Sequence, residues 1–273
     1  MAAAISVENN FAALASRLIL SLLLFLCAGC QRAGDPLLEE TFDRVCAVEP
    51  DAEIAIRNRD GAVLVYGSNA SQVQIHVTLE AYRRDRLKQF AINVSAQPGA
   101  VSIDTRFPPQ PRWGLFDRSG AAYLTVIVPT TAKISHLSLH RGEIVLEGLR
   151  GRQTRAQLGD GRIFAHNCFS NLSLRLRRGT LTLSYDWWEK ETFLAQASIN
   201  QGNAWAFFPT DSAFRLIART AEGTVKSDFE NDPREARTGG SGMQIDTLVN
   251  GGGQTKIQVS ASRGNITIVE ANP

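Results

Sequence analysis

Three tryptophans hold most of the binding chemistry in this chain. Tyr185, Trp187 and Trp188 cluster within four residues, and Trp205 follows with Phe207 and Phe208 close behind. Exposed aromatic rings suit the faces of sugars or the apolar surface of a protein partner. The competing reading is a long loop that folds back and packs its tryptophans on the body of the domain. Catalytic chemistry is thinner. Enzymes that cleave polysaccharides need acids and bases projecting from one face, and Asp160, Asp186 and Glu222 are the acids available. Asp160 and Glu222 stand in one row but three units apart by the repeat described below, too far for one active site. His136 and His140 are four apart, which places both on one face of a strand. No cysteine or carboxylate stands beside them at ligand spacing, so no metal is expected. Gly251-Gly252-Gly253 falls between strands and does not lead into a helix, so it is not a phosphate loop. No cofactor is implied. The net charge of +2 is too near neutral for a nucleic-acid partner.

What must position these side chains is a pattern of glycines. After Pro129 they fall at Gly142, Gly161, Gly179, Gly202 and Gly223, spaced by 19, 18, 23 and 21 residues, and Gly264 follows after 41, about two such units. Two and four residues after the glycines stand apolar rows such as Ile144, Ile163, Leu181 and Leu146, Ala165, Leu183. Three and five residues before them stand Leu139, Leu158, Leu176 and Leu137, Ala156, Leu174. The apolar parity therefore flips across each glycine. A continuous strand cannot keep both sets on one face, so the chain must turn a corner where a residue without Cβ tolerates unusual dihedrals. Strands, corners and an inward apolar row every twenty or so residues predict an all-β chain folded as a β-solenoid. An antiparallel meander or sandwich with evenly spaced turns is the alternative. The residues just before the glycines are Arg141, Asp160, Arg178, Gln201, Glu222 and Arg263. Stacked coils would turn that row into a solvated charge ladder.

Upstream of the repeat, alternation at Ile54, Ile56, Val63, Val65, Val73, Ile75, Val77 and Leu79 predicts half-buried strands. Turns fall at Arg59-Asp60-Gly61 and Tyr66 to Asn69. Pro36 to Val45 reads as one short helix, and the charged stretch Glu80 to Phe90 as another. Phe107 to Trp113 holds three prolines and reads as an exposed loop. Strand resumes at Tyr123 to Pro129. The segments before Gly61 and after Gly264 are placed to cover the open ends of the coils.

The N-terminus is a targeting segment. An apolar run from Leu18 to Gly29 is broken only by Ser21 and preceded by Arg17, a length that suits a signal peptide better than a membrane span. Leu26-Cys27-Ala28-Gly29-Cys30 resembles a bacterial lipobox, although Cys27 stands where leucine is usual. That resemblance implies cleavage before Cys30, lipidation of Cys30 and, with Gln31 following, residence at the outer membrane. An ordinary cleaved signal peptide or an uncleaved anchor is the alternative. The division that follows is 1–29 signal peptide, 30–52 lipidated cysteine and tether, and 53–273 the β-solenoid domain. Of the remaining cysteines, Cys46 and Cys168 either pair in an oxidising compartment or stay separate, with Cys168 packed in the core.

From about residue 53 to 270 the chain resembles the bacterial putative-adhesin family, a domain of unknown function with a β-solenoid fold. The residues behind the resemblance are Ile54 to Val63, the strand Leu124 to Pro129, and glycine-led rungs such as Arg141-Gly142-Glu143-Ile144 and Arg263-Gly264-Asn265-Ile266. The chain departs from it in the aromatic insertion Tyr185 to Phe193 and the glycine-rich stretch Gly239 to Gly253. The resemblance specifies a fold more than a function. The reading that follows is a non-enzymatic cell-envelope lipoprotein, held to the membrane through Cys30. It would bind a glycan or an envelope protein through Trp187, Trp188 and Trp205. A carbohydrate-active enzyme on a β-helix and a purely structural spacer are the alternatives.

Overall fold

The structure, a computed structural model, describes residues 37–109, 120–229, 237–239 and 242–271. The proposed signal segment, Cys30 and Trp113 lie outside these residues. The described chain is almost entirely strand and forms one mixed sheet. The first half comprises β1 (Leu38–Ala47), β2 (Glu53–Ser68), β3 (Gln72–Ala81), the single helical turn α1 (Arg84–Leu87), β4 (Ala91–Gln97), β5 (Ala100–Arg106) and β6 (Ala121–Pro129). There follow β7 (Lys133–Glu147), β8 (Thr154–His166), β9 (Leu172–Ser184) and β10 (Leu194–Pro209). The last part is β11 (Phe214–Glu222), β12 (Val225–Ser227), β13 (Arg237–Gly239), β14 (Gly242–Val249), β15 (Lys256–Arg263) and β16 (Ile266–Ala271).

Strands β2, β7, β8, β9 and β10 are long and parallel, in register apart from shifts after Ile54 in β2 and between Ile134 and Leu137 in β7, and each bends once at its glycine. Gly61, Gly142, Gly161, Gly179 and Gly202 stack as one column; Gly264 and then Gly223 extend it, with φ between +122° and +143° throughout. The bend gives each strand two arms. Side chains pointing inward from both arms meet in the core: Leu137 and Leu139 before the corner of β7 and Ile144 and Leu146 after it are all buried. The rows read from the sequence are these buried rows. Leu139, Leu158, Leu176, Ile199 and Ala261 form one continuous line. Across the parallel strands that line ends in polar residues, Asn58 at one end and Thr220 at the other. Both are buried and satisfied: Asn58 Nδ2 donates to Ala122 O at 2.8 Å, and Thr220 Oγ1 donates to Gly264 O at 2.8 Å. Unpaired, each would lose its hydration without compensation.

Spatial order departs from sequence order at both ends. The chain enters at β2, leaves to form β3 to β6, and only then returns to β7 on the other side of β2. At the far end β15 and β16 insert between β10 and the pair β11–β12. Gly264 therefore follows Gly202 directly, and Gly223 comes last. The expectation that Gly264 lies beyond Gly223 is corrected. The terminal edges are closed by antiparallel strands, β3 with β1 at one end and β14 with β13 at the other. Pro36 to Val45, expected as helix, contributes strand β1 instead. Its apolar residues Leu38, Phe42 and Val45 are spaced for a helix. The strand is an outermost one, mostly exposed, so its ladder with β3 decides its conformation more than burial does. The helix expected within Glu80 to Phe90 is reduced to α1.

Candidate binding faces

The reordering completes the charge ladder beside the glycine column. Across the strands the row runs Asp60, Arg141, Asp160, Arg178, Gln201, Arg263, Glu222. Charged neighbours alternate in sign throughout, with Gln201 between two arginines. Arg141 Nε lies 2.9 Å from Asp60 and Arg178 Nε 2.6 Å from Asp160. The Arg178 guanidinium holds the Asp160 carboxyl below its usual range. Asp160 is thus engaged by Arg177 and Arg178, and Glu222 stands four strands away in the row. The two acids are further apart than sequence order implied and cannot serve one reaction.

The aromatic insertion divides its residues between the core and the surface. Tyr185 is buried, and its hydroxyl donates to Cys168 O at 3.1 Å. Trp188 packs on the core, with ring centroids of Phe214, Tyr185, Phe193 and Phe208 at 5.2, 5.7, 5.9 and 6.0 Å. Trp187 points outward and is 46% exposed. Its Nε1 donates to Glu189 Oε1 at 2.8 Å, and Glu189 is clamped in turn by Arg150, whose Nη2 lies 2.6 Å away. Arg150 also sits 5.2 Å from the Phe169 ring, which lies 6.0 Å from Trp187. This closed circuit fixes the indole in place. At the root of the loop Asp186 accepts from His166 Nε2 at 2.9 Å and from Asn167 Nδ2 at 3.2 Å. The hydrogen bond from His166 is the main reason the Asp186 carboxyl sits below its usual range.

Trp205 stands on the outer face of the second arm, 39% exposed. Its cross-strand neighbours are Thr182 and Thr267, both much shorter, so the indole stands above the sheet. Phe207, two residues on and therefore on the same face, lies nearly parallel to it, with centroids 6.4 Å apart and planes 8° apart. Phe208 is fully buried. Of the three tryptophans, then, two present rings to solvent and one serves packing. His136 and His140 lie in β7, and among the described residues no group of three His, Cys, Asp or Glu side chains could hold a metal. Cys46 and Cys168 are both buried free thiols and do not pair. No helix among the described residues is long and apolar enough to cross a membrane.

The outer face of the first arm was not legible as a site. Over β9, β10, β15, β11 and β14 it forms a trough of about 420 Å³ lined by serines, glutamines, Arg175 and Arg219, with Ile217 and the carboxylate Asp246, itself paired with Arg215, on the β11–β14 side. The polar outward positions could be read from the repeat. Their assembly could not, because it depends on β15 lying between β10 and β11.

No family model and no curated protein matches the chain. Solved structures do. One described as a putative cell adhesion protein from Clostridium sporogenes is 13% identical; the match covers 85% of this chain and 100% of that one, with a TM-score of 0.51. A putative adhesin from Bacteroides fragilis (10% identity, 84% and 97% covered) and a putative lipid binding protein from Parabacteroides distasonis (13%, 85% and 97%) score 0.27 and 0.26. Those two scores are too low to carry an argument. The likeness to the Clostridium structure is one of fold.

Proposed function

We propose that the protein is a non-enzymatic binding module of the cell envelope. Its cornered strands act as the coils of a β-solenoid of the adhesin type, and an outer face of those coils holds a glycan or an envelope protein. The observation that carries this reading is the Trp205–Phe207 pair, two nearly parallel rings on the outer face of a strand paired in register on both sides. A rigid sheet holds the rings at fixed spacing, so little side-chain entropy is lost when a ligand docks. Trp187 supplies a second exposed tryptophan, pinned through Glu189 and Arg150 and backed by the Phe169 ring. The fold likeness to a protein described in terms of cell adhesion agrees with this reading. Lipidation of Cys30 would tether the module to the outer membrane.

Two experiments test it. Purified protein is titrated against a panel of neutral and acidic polysaccharides and against solubilised envelope proteins. Trp205→Ala should weaken the strongest interaction about tenfold or more while the melting temperature stays near wild type; unchanged affinity sinks the aromatic site. Separately, Cys30→Ser should abolish lipid labelling and move the protein out of the membrane fraction. Persisting label refutes the anchor.

A further inference from the structure

We infer that the trough on the first arm is a second binding site, and that its ligand is an acidic polysaccharide segment. The inference deepens the binding-module reading and rests on it, but it concerns the face on the other side of the corner from Trp205. The floor is formed by the two neighbouring parallel strands β10 and β15. Their outward side chains are short or polar: Ser198 stands beside Ser260, and Gln196 donates through Nε2 to Gln258 Oε1 at 2.9 Å. The same face continues toward the corner past Asn200 and Ser262. Arginines form the walls. Arg175 on β9 is level with Ser198, and Arg219 on β11 is level with Ser260, so one row reads Arg175, Ser198, Ser260, Arg219. The two arginines are three strand spacings apart, roughly 14 Å at the backbone. Both line the same cavity and can lean over the serine pair from opposite sides.

Among the described residues their charges are uncommitted. Arg215 is held by Asp246 through two contacts of 2.9 Å, and Arg177 by Asp160. Arg175 and Arg219 have no ion pair or hydrogen bond among the described residues, although both line a concave surface. Two guanidinium groups flanking a pair of hydroxyls make a site for a carboxylate or sulfate, which each guanidinium can meet with paired N–H donors. The serine and glutamine floor matches the hydroxyl groups of a sugar ring.

Other occupants fit less well. A peptide adding as a strand needs a free sheet edge, and β10 and β15 are each paired on both sides. A nucleic acid would call for aromatic rings to stack its bases, and the trough lining has none.

The test measures binding of the purified protein to polygalacturonate, to heparin and to neutral dextran of similar length, with inorganic sulfate as a small-anion competitor. Acidic polymers should bind and dextran should not at this face. Arg175→Gln and Arg219→Gln should each weaken acidic-polymer binding about tenfold, the scale of one charge-assisted contact. The double variant should lose about a hundredfold. Arg162→Gln, which removes an equal charge from the second arm, should leave affinity within twofold. Equal weakening by Arg162→Gln would reduce the effect to net charge and overturn the proposal, as would a double variant that binds like wild type. Competition by sulfate alone at low millimolar concentration, with no gain from polymer length, would show a simple anion site and refute the polysaccharide assignment. If Trp205→Ala abolishes glycan binding while the double arginine variant does not, the binding-module reading stands and the trough assignment falls.

Discussion

Replacing Gly161 by alanine isolates the corner column on which the architecture rests. Gly161 has φ +137°, and a Cβ built there would lie 1.8 Å from Gly142 O and 2.8 Å from its carbonyl carbon. Gly179 in turn packs against Gly161 O, so the strand cannot shift away without moving the next corner. Two costs add. An L-residue in a glycine-only backbone region is destabilised by roughly 1–3 kcal/mol. Forcing a methyl into filled space costs about another 1–3 kcal/mol. A loss of about 4 kcal/mol lowers the melting temperature of a body this size by roughly 8–16 °C. Gly251→Ala is the matched control: its φ is +77°, but nothing lies within 4 Å of the new Cβ. It should cost about 1 kcal/mol, the ordinary penalty of a left-handed residue, or roughly 2–4 °C. Thermal unfolding followed by circular dichroism compares the two. Coincident melts for Gly161→Ala and Gly251→Ala would refute the stacked corner.

Other expectations follow from the aromatic loop and its surroundings. Trp188→Ala should cost about 3 kcal/mol as a core truncation, whereas Trp187→Ala should cost less than about 1 kcal/mol; equal losses in denaturant titration would contradict the division between packed and exposed rings. The carboxyls of Asp186 and Glu189 are held below their usual range, chiefly by hydrogen bonds from His166 and Arg150 respectively. Groups with lowered folded values stabilise the loop above the ordinary carboxylate range, and that stability is lost as pH falls through the lowered values. The fluorescence difference between wild type and Trp187→Phe should therefore hold steady at neutral pH and change only in acid. A transition confined to neutral pH would count against these pairs. Burial pushes the Cys168 thiol up to about 12, so at pH 8 it should resist iodoacetamide in the native state and react on unfolding. Rapid native labelling of Cys168, located by peptide mapping, would show that the site opens.

The sequence carried the rungs but not their order. Leu139, Leu158 and Leu176 could be aligned from the glycines because parity and spacing are local properties. That β16 follows Phe208 in space, before β12, is not local: Gly264 is as compatible with the position after Gly223 as with the one between Gly202 and Gly223. The missing order hid two things at once, the full alternation of the charge ladder and the row that brings Arg175 and Arg219 over one trough. Strand β1 reads as a helix in the sequence because Leu38, Phe42 and Val45 suit a helix face, while the ladder that makes it a strand is supplied by β3. The tryptophans were found by composition, but which rings face solvent was decided by the tertiary positions of Phe208 and Phe214, with which Trp188 packs.

Binding and the absence of cleavage can be read in one measurement. The purified protein is incubated with the polysaccharide it binds best, at saturating ratio and for many hours. Complex formation and polymer length are then read together by size-exclusion chromatography with light scattering. A saturable complex is expected, weakened in Trp205→Ala, from which polymer of unchanged length is recovered. Progressive shortening of the polymer, or the absence of any complex across the glycan panel and the envelope proteins, would contradict it.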